Sequence, residues 1–219
     1  MGQVIATVFI IDDDEGVCRS LARLVRSAGY NTEGFFSARE FLDRLPFPGI
    51  GCVLADVCMP GMTGPELHDR LLSAGISLPM VFLTAHGDLP TGVQAMKKGA
   101  VDFLVKPADD ATLLRAIAQA VARHAGLRRE AVEKQAIGMR LARLSPRERE
   151  IMEYVIGGWL NKQIAAELGI SEKTVKVHRS QVMQKLETRS LAELVRQCEF
   201  LDIAPRRIRT PAGKGKTKV

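Results

Sequence analysis

The stretch Val4-Ile5-Ala6-Thr7-Val8-Phe9-Ile10-Ile11-Asp12-Asp13-Asp14 decides the reading of the first half of this chain. Val4–Ile11 is a continuous, largely β-branched run, the pattern of a strand buried on both faces. Three carboxylates close it where the chain must leave the sheet. The run is far shorter than the roughly 18 apolar residues that a membrane span needs. It carries no basic leader and no small-residue cleavage site, so it is not a secretion signal. Met1-Gly2 begins like a myristoylation site, but Ala6 stands in the Ser/Thr slot.

Working outward, Glu15–Ala28 places Val17, Leu21, Leu24, Val25 and Ala28 on one helical face, with Gly29 as its stop. Thr32–Phe36 reads as a second strand, and Ser37-Ala38-Arg39-Glu40 as a capping box for a helix ending near Leu45. Cys52–Ala55, Met80–Leu83 and Phe103–Val105 are further short apolar runs, interleaved with helical patterns at Pro65–Ala74, Leu89–Lys98 and Asp109–His124. Five strands alternating with five helices predict an α/β doubly wound parallel sheet. Chemistry in such sheets sits beyond the carboxyl ends of the strands.

The chain holds 219 residues, enough for one large domain or two ordinary ones. Apolar residues at 46% and charged ones at 26% exclude wholesale disorder and a fibre. Its net charge of +6 is divided unevenly. Residues 1–123 carry 11 Lys and Arg against 14 Asp and Glu, whereas residues 124–219 carry 20 against 11. An acidic module joined to one that meets a polyanion fits that asymmetry. Cys18, Cys52, Cys58 and Cys198 form no C-x-x-C pair and lack histidines at zinc-finger spacing, so they read as buried thiols in a reducing cytoplasm.

From about Ala122 to Arg143 the helical pattern turns highly charged, suiting an exposed linker helix. Ser145-Pro146-Arg147-Glu148 signals a new start, with serine as N-cap, proline at N1 and glutamate at N3. Gly157-Gly158 ends that helix, and Asn161 is expected to cap the next, which runs to Leu168. Gly169-Ile170-Ser171 turns into a third, about Glu172–Leu186, and a fourth covers about Leu191–Leu201. The Pro/Gly/Lys/Arg tail Pro205–Val219 has no apolar periodicity and is expected to be disordered. Its Gly215-Lys216-Thr217 lacks the leading glycine of a P-loop, so its cations read as non-specific phosphate attraction.

Asp12, Asp13 and Asp14 follow strand one, Asp56 closes strand three, Thr84 follows strand four and Lys106-Pro107 follows strand five. With strand one between strands two and three, and strands four and five beyond, these side chains converge on one edge. Clustered carboxylates call for a cation, and Mg²⁺ is the economical one. Aspartate is also a competent nucleophile toward phosphorus. Taken singly, each residue has a plainer reading: Asp14 or Glu15 as a helix cap, Asp56 as a turn former, Lys106 as a solvated cation.

Together these residues resemble a response-regulator receiver domain over residues 4–123. The matching pieces are Ile11–Asp14, Asp56-Val57-Cys58-Met59-Pro60-Gly61-Met62-Thr63-Gly64, Thr84-Ala85-His86-Gly87-Asp88 and Gly99–Pro107. The resemblance implies Asp56 as phosphoacceptor, with Asp13, Asp56 and the Cys58 carbonyl on Mg²⁺ and Asp12 bound to it through water. It also implies Thr84 and Phe103 as a switch pair, Lys106 as phosphoryl contact, and a cis Lys106-Pro107 peptide. A rival reading is an aspartyl-nucleophile phosphatase of the haloacid-dehalogenase type, since Asp12-x-Asp14 imitates its opening. Gly16, where that family has Thr or Val, and the intact Asp56…Pro60-Gly61 block speak against it.

Around Glu172–Leu186, Val175, Val182 and Leu186 share a packing stripe, while Lys173, Lys176, Val177, Ser180 and Gln184 share the other face. Ammonium groups beside one apolar side chain suit phosphate contact and a thymine methyl; a merely solvated face is the plainer alternative. The short preceding helix and glycine turn make a helix–turn–helix over about residues 161–186. Leu144–Glu150, Asn161–Ala165 and Leu168–Arg179 resemble the LuxR-type DNA-binding domain, with the likeness reaching about Leu201. It implies Lys176, Val177 and Ser180 as base-reading positions, Lys162, Lys173, Thr174 and Arg179 as DNA contacts, His178 as a structural contact, and pairing through the last helix.

The two halves together resemble a FixJ/NarL-type response regulator, on the FixJ side through His86-Gly87-Asp88 and Phe103. That implies a receiver over residues 1–123, a linker helix over 124–136, a DNA-binding domain over 137–204 and a basic tail over 205–219. The implied partners are a sensor histidine kinase, promoter DNA, a second copy of the chain when phosphorylated, and RNA polymerase, with no membrane and a cytoplasmic location. No enzyme is implied beyond phosphoryl acceptance and slow self-dephosphorylation. A phosphorylation-independent DNA binder, its receiver serving only as a dimer platform, is the other functional reading.

Overall fold

The computed structural model describes residues 5–85 and 89–206. His86-Gly87-Asp88, the residues before Ile5 and the basic run after Arg206 lie outside the described residues. The chain divides into two compact units, Met1–Glu130 and Ala131–Val219.

The first unit alternates β1 (Thr7–Ile11), α1 (Glu15–Ser27), β2 (Asn31–Phe35), α2 (Ala38–Asp43), β3 (Gly51–Asp56), α3 (Gly64–Ser73), β4 (Met80–Thr84), α4 (Leu89–Lys97), β5 (Asp102–Val105) and the start of α5 (Asp110–Leu141). All strand pairs are parallel, in the order β2-β1-β3-β4-β5. Alternation along the central strands divides the core. Phe9, Ile11, Val53, Ala55, Met80 and Phe82 face Phe41, Leu67, Leu71 and Ala95 of α2, α3 and α4. Val8, Ile10, Cys52, Leu54, Val81 and Leu83 face Cys18, Val25, Leu113 and Ile117 of α1 and α5. Full burial on both faces is why β1 and β3 read as unbroken apolar runs.

Local signals set the boundaries. Asp14 caps α1 by accepting from the Gly16 and Val17 amides. The box expected at Ser37 forms by half: Ser37 Oγ accepts from the Glu40 amide, but the Glu40 carboxylate reaches past it to the Phe36 amide. Thr63 and Glu66 make a full box on α3 that the sequence reading did not mark. The charged stretch read as a linker helix lies within α5. α5 runs unbroken from Asp110 to Leu141; its His124 and Arg128 bond to Gly51 N and Pro48 O, and its Ile137 and Leu141 enter the second unit's core.

The second unit continues with α6 (Pro146–Ile156), α7 (Asn161–Leu168), α8 (Glu172–Lys185) and α9 (Leu191–Phe200), packed around Ile151, Met152, Val155, Ile164, Val175, Val182, Leu186 and Leu194. The Ser145–Glu148 capping box is complete. Contrary to the expectation, Asn161 is not the cap of α7: Leu160 holds that position, with its amide bonded to Gln163 Oε1, and Asn161 is the first helical residue. Gly169 ends α7 at φ 64, a left-handed turn that a side chain would strain. Among the described residues, no helix is long and apolar enough to cross a membrane.

Candidate functional site

Parallel register brings the strand ends together. Ile11 pairs with Ala55, Asp56 with Leu83, and Thr84 with Val105, so Asp12, Asp56, Thr84 and Lys106 succeed one another along one sheet edge. Asp12, Asp56 and Thr84 are buried there.

Lys106 Nζ lies 2.6 Å from Asp12 Oδ2 and 2.6 Å from Asp56 Oδ1. The other oxygen of each carboxylate accepts from a backbone amide two residues on: Asp12 Oδ1 from Asp14 N at 3.0 Å, Asp56 Oδ2 from Cys58 N at 2.6 Å. Burial alone would pull the Lys106 ammonium down, and the two carboxylates outweigh it, so its pKa stands above the ordinary lysine value. The Lys106-Pro107 peptide is cis, and the Lys106 amide bonds to Thr84 O at 2.7 Å.

Two carboxylates sharing one ammonium leave the pocket net negative and all-oxygen, the donor chemistry of a hard cation. Asp13 is exposed, and among the described residues no three His, Cys, Asp or Glu side chains are gathered closely enough to hold a metal by themselves. A cation here would therefore draw on backbone oxygen and solvent as well. Cys58 is exposed, unlike the buried Cys18, Cys52 and Cys198, so the expectation of four buried thiols fails at this position. It serves the pocket through its backbone.

Phe103 is half-buried, tilted against Phe82 at 6.3 Å between ring centres. A Cβ on Gly92 of α4 would come within 3.1 Å of its ring. Gly92 therefore belongs to the surroundings of Phe103, a role the sequence pattern did not reveal.

In the second unit, Val175, Val182 and Leu186 are buried on one side of α8, while Lys173, Thr174, Lys176, Val177 and Ser180 are exposed. Lys162 is exposed on α7. Arg179 differs from its neighbours: it is half-buried and donates to Asn161 Oδ1 at 2.8 Å, tying α8 to the start of α7. His178 is half-buried, with a buried Nδ1. Glu148, itself buried, receives Lys185 Nζ at 2.6 Å and the Ser145 amide at 2.7 Å, fixing the end of α8 to the start of α6. Arg147 donates to Leu168 O at the end of α7.

Comparison with known proteins meets this geometry. The family described as "Response regulator receiver domain" matches residues 8–118, and "Bacterial regulatory proteins, luxR family" matches residues 142–198. Transcriptional regulatory protein FixJ of Azorhizobium caulinodans is 43% identical over 204 residues, covering 93% of this chain and 97% of that one. Response regulator protein TodT of Pseudomonas putida is 41% identical over 196 residues, covering 90% and 86%. The low-resolution structure of response regulator StyR superposes with a TM-score of 0.79 at 45% identity, covering 89% of this chain and 98% of that one. The pairing of receiver and DNA-binding domain marks a regulator rather than an enzyme, and the chain belongs to the FixJ-like response regulators, transcriptional regulators that join a receiver domain to a LuxR-type DNA-binding domain.

Proposed function

We propose that Asp56 accepts a phosphoryl group from a sensor histidine kinase and that its modification promotes dimerisation and sequence-specific binding to promoter DNA. The observation that carries this reading is the Lys106 ammonium shared at 2.6 Å by the buried Asp12 and Asp56 carboxylates at the strand ends. Cys58 N orients the Asp56 carboxylate through Oδ2. An oxygen–phosphorus bond forms to Asp56 as the nitrogen–phosphorus bond of the kinase phosphohistidine breaks, and its electron pair leaves with the imidazole, which takes up a proton. Asp12, Asp13 and Asp56 with the Cys58 carbonyl would hold Mg²⁺, which when bound neutralises charge on the phosphoryl oxygens.

Phosphorylation adds about −1.5 to −2 charges, by analogy with other phosphoresidues. Lys106 then turns from the Asp pair to the phosphoryl oxygens, Thr84 follows from the next strand, and Phe103 swings inward. Slow attack of water on phosphorus, with the Asp56 carboxylate leaving, resets the pocket. A homodimer places two α8 helices on half-sites about one DNA turn apart, with Lys176, Val177 and Ser180 toward base edges and Lys162, Lys173, Thr174 and Arg179 toward the backbone. RNA polymerase is the further partner, and the cytoplasm the compartment.

Acetyl phosphate tests this reading. The wild-type chain should gain dimer and promoter affinity on treatment, and Asp56→Asn should gain neither. Equal responses in both would favour a phosphorylation-independent DNA binder.

A further inference from the structure

Phe82 is the middle of a run of three rings. It pairs with Phe103 in the β4–β5 register, and the two rings lie tilted at 6.3 Å between centres. The His68 imidazole of α3 meets the same Phe82 ring nearly edge-on, at 5.9 Å and 74°. Phe82 and His68 are buried, and Phe103 is half-buried against Gly92 of α4.

The neighbours of Phe82 differ in how far they can give. At the start of α3, a Cβ on Gly64 would come within 3.0 Å of the Phe82 ring and 2.4 Å of Asp56 O, so backbone closes that approach. His68 has no such backing. A crevice of about 270 Å³ opens beside it, between Pro65 and His68 of α3 and Pro90, Thr91, Gln94 and Ala95 of α4. Among the described residues none hydrogen-bonds to the imidazole, so packing rather than a polar bond holds the ring. The charged groups around it are Asp69 of α3 itself, Lys98 just past α4 and Arg123 of α5; β4 faces it with the Phe82 ring. Lys98 pairs with Asp69 at 2.6 Å, and Arg123 donates to Gly99 O at 2.9 Å.

A close-packed interior does not compress, so a ring that turns inward must displace its neighbours. An inward move of Phe103 bears on Phe82, and Phe82 in turn bears on His68, which stands against free volume.

We propose that His68 is a positioning residue for the Phe103 switch. Its ring braces Phe82 and so holds Phe103 in the half-buried position, and it moves into the α3–α4 crevice when Phe103 turns inward. The inference rests on the phosphorylation reading above and adds the group that sets how readily the switch moves. Burial holds the imidazole below the ordinary histidine value of 6.5, opposed by Asp69 and aided by Lys98 and Arg123. In the crevice the ring regains water, so its proton affinity rises and acid favours the switched state.

The test is sedimentation of the full chain with and without acetyl phosphate and Mg²⁺, at about pH 7.5 and about pH 5.5, each about one unit from the histidine reference. Intact mass gives the phosphoryl occupancy of each sample, so the dimer is read per phosphorylated chain. His68→Ala removes the brace and should dimerise about 2–10-fold more tightly than wild type without acetyl phosphate, the range that one aromatic contact supports. His68→Phe keeps a ring against Phe82 that is larger, apolar and resists leaving it; its gain per phosphorylated chain should fall by a similar factor. The gain at the acid pH relative to the alkaline one should be greater in wild type than in either variant. His68→Phe carries the test alone if melting curves show that His68→Ala does not fold. Variants that match wild type in basal dimer, phosphorylation gain and pH profile, whatever their melting temperatures, would overturn the role of His68. So would weaker basal dimerisation in a folded His68→Ala chain. Failure of the wild type to take up phosphoryl at Asp56, or to dimerise once it has, would instead refute the phosphorylation reading.

Discussion

Lys106 Nζ lies 2.6 Å from Asp56 Oδ1 across the ends of β5 and β3, in a pocket where Asp12 competes for the same ammonium. Removing the cation leaves two buried carboxylates facing each other; removing one carboxylate leaves a neutral pair. Lys106→Met should therefore destabilise the first unit by about 2 kcal/mol, below the usual cost of breaking a fully buried pair because the lysine side chain is 23% exposed. Asp56→Asn should be neutral or stabilising. Urea unfolding of the three chains checks this, and a larger loss in Asp56→Asn than in Lys106→Met would contradict it.

Glu148 is the corresponding group in the second unit. The Lys185 ammonium and the Ser145 amide hold its carboxyl below the ordinary range. The stability it confers is present above about pH 4.5, its ordinary value, and is lost as pH falls through the lower folded-state value. Glu148→Ala should cost the second unit about 2 kcal/mol at neutral pH and flatten its acid dependence. Chemical unfolding at neutral and acid pH measures both effects.

His124 and His68 carry a second pH test of the same sign, in a higher pH window. Burial lowers both below the ordinary histidine value of 6.5. His124 Nδ1 accepts from Gly51 N at 2.9 Å, so a proton there would oppose an N–H, and Arg128 nearby disfavours it further. Both groups therefore give stability that is complete above pH 6.5 and lost as pH falls through their folded-state values. The first unit should unfold at lower urea at pH 5, about one and a half pH units below the histidine reference, than at pH 7. His124→Gln should show less of that decline; an identical decline would exclude His124 as a contributor.

Recognition and support separate on α8. Lys176→Ala should weaken binding to a duplex selected from a random pool by the wild-type chain and relax preference at one base pair, by about 1–3 kcal/mol of discrimination. Lys173→Ala should weaken all duplexes alike and lower the salt slope by about 1. Arg179→Ala should also reduce thermal stability, since it removes the bond to Asn161 that joins α7 and α8. A purely electrostatic effect, with unchanged melting, would remove that structural role. Anisotropy and melting curves on the same preparations distinguish the three.

The strands were legible because burial on both faces leaves unbroken apolar runs such as Phe9–Ile11, and the strand-end acids because parallel register aligns Asp12 with Asp56. The packing stripe of α8 was legible by its period, as Val175, Val182 and Leu186 are all buried. Long-range polar contacts carry no periodic signal. The Glu148–Lys185 bridge, the Asn161–Arg179 bond and the docking of Arg206 on Glu153 join residues 37, 18 and 53 positions apart. Arg179 and Arg206 looked like free cations for that reason. Gly92 and Gly157 were silent too, because what each accommodates is a distant group, the Phe103 ring or the Arg206 carbonyl.

The most direct measurement of the central claim is peptide mass spectrometry of the full chain after acetyl phosphate and Mg²⁺, with borohydride trapping of the acyl phosphate. The account predicts a single trapped carboxylate at Asp56, none in Asp56→Asn, and sharply reduced trapping without Mg²⁺. Trapping at another carboxylate, or equal phosphoryl incorporation in wild type and Asp56→Asn, would contradict it.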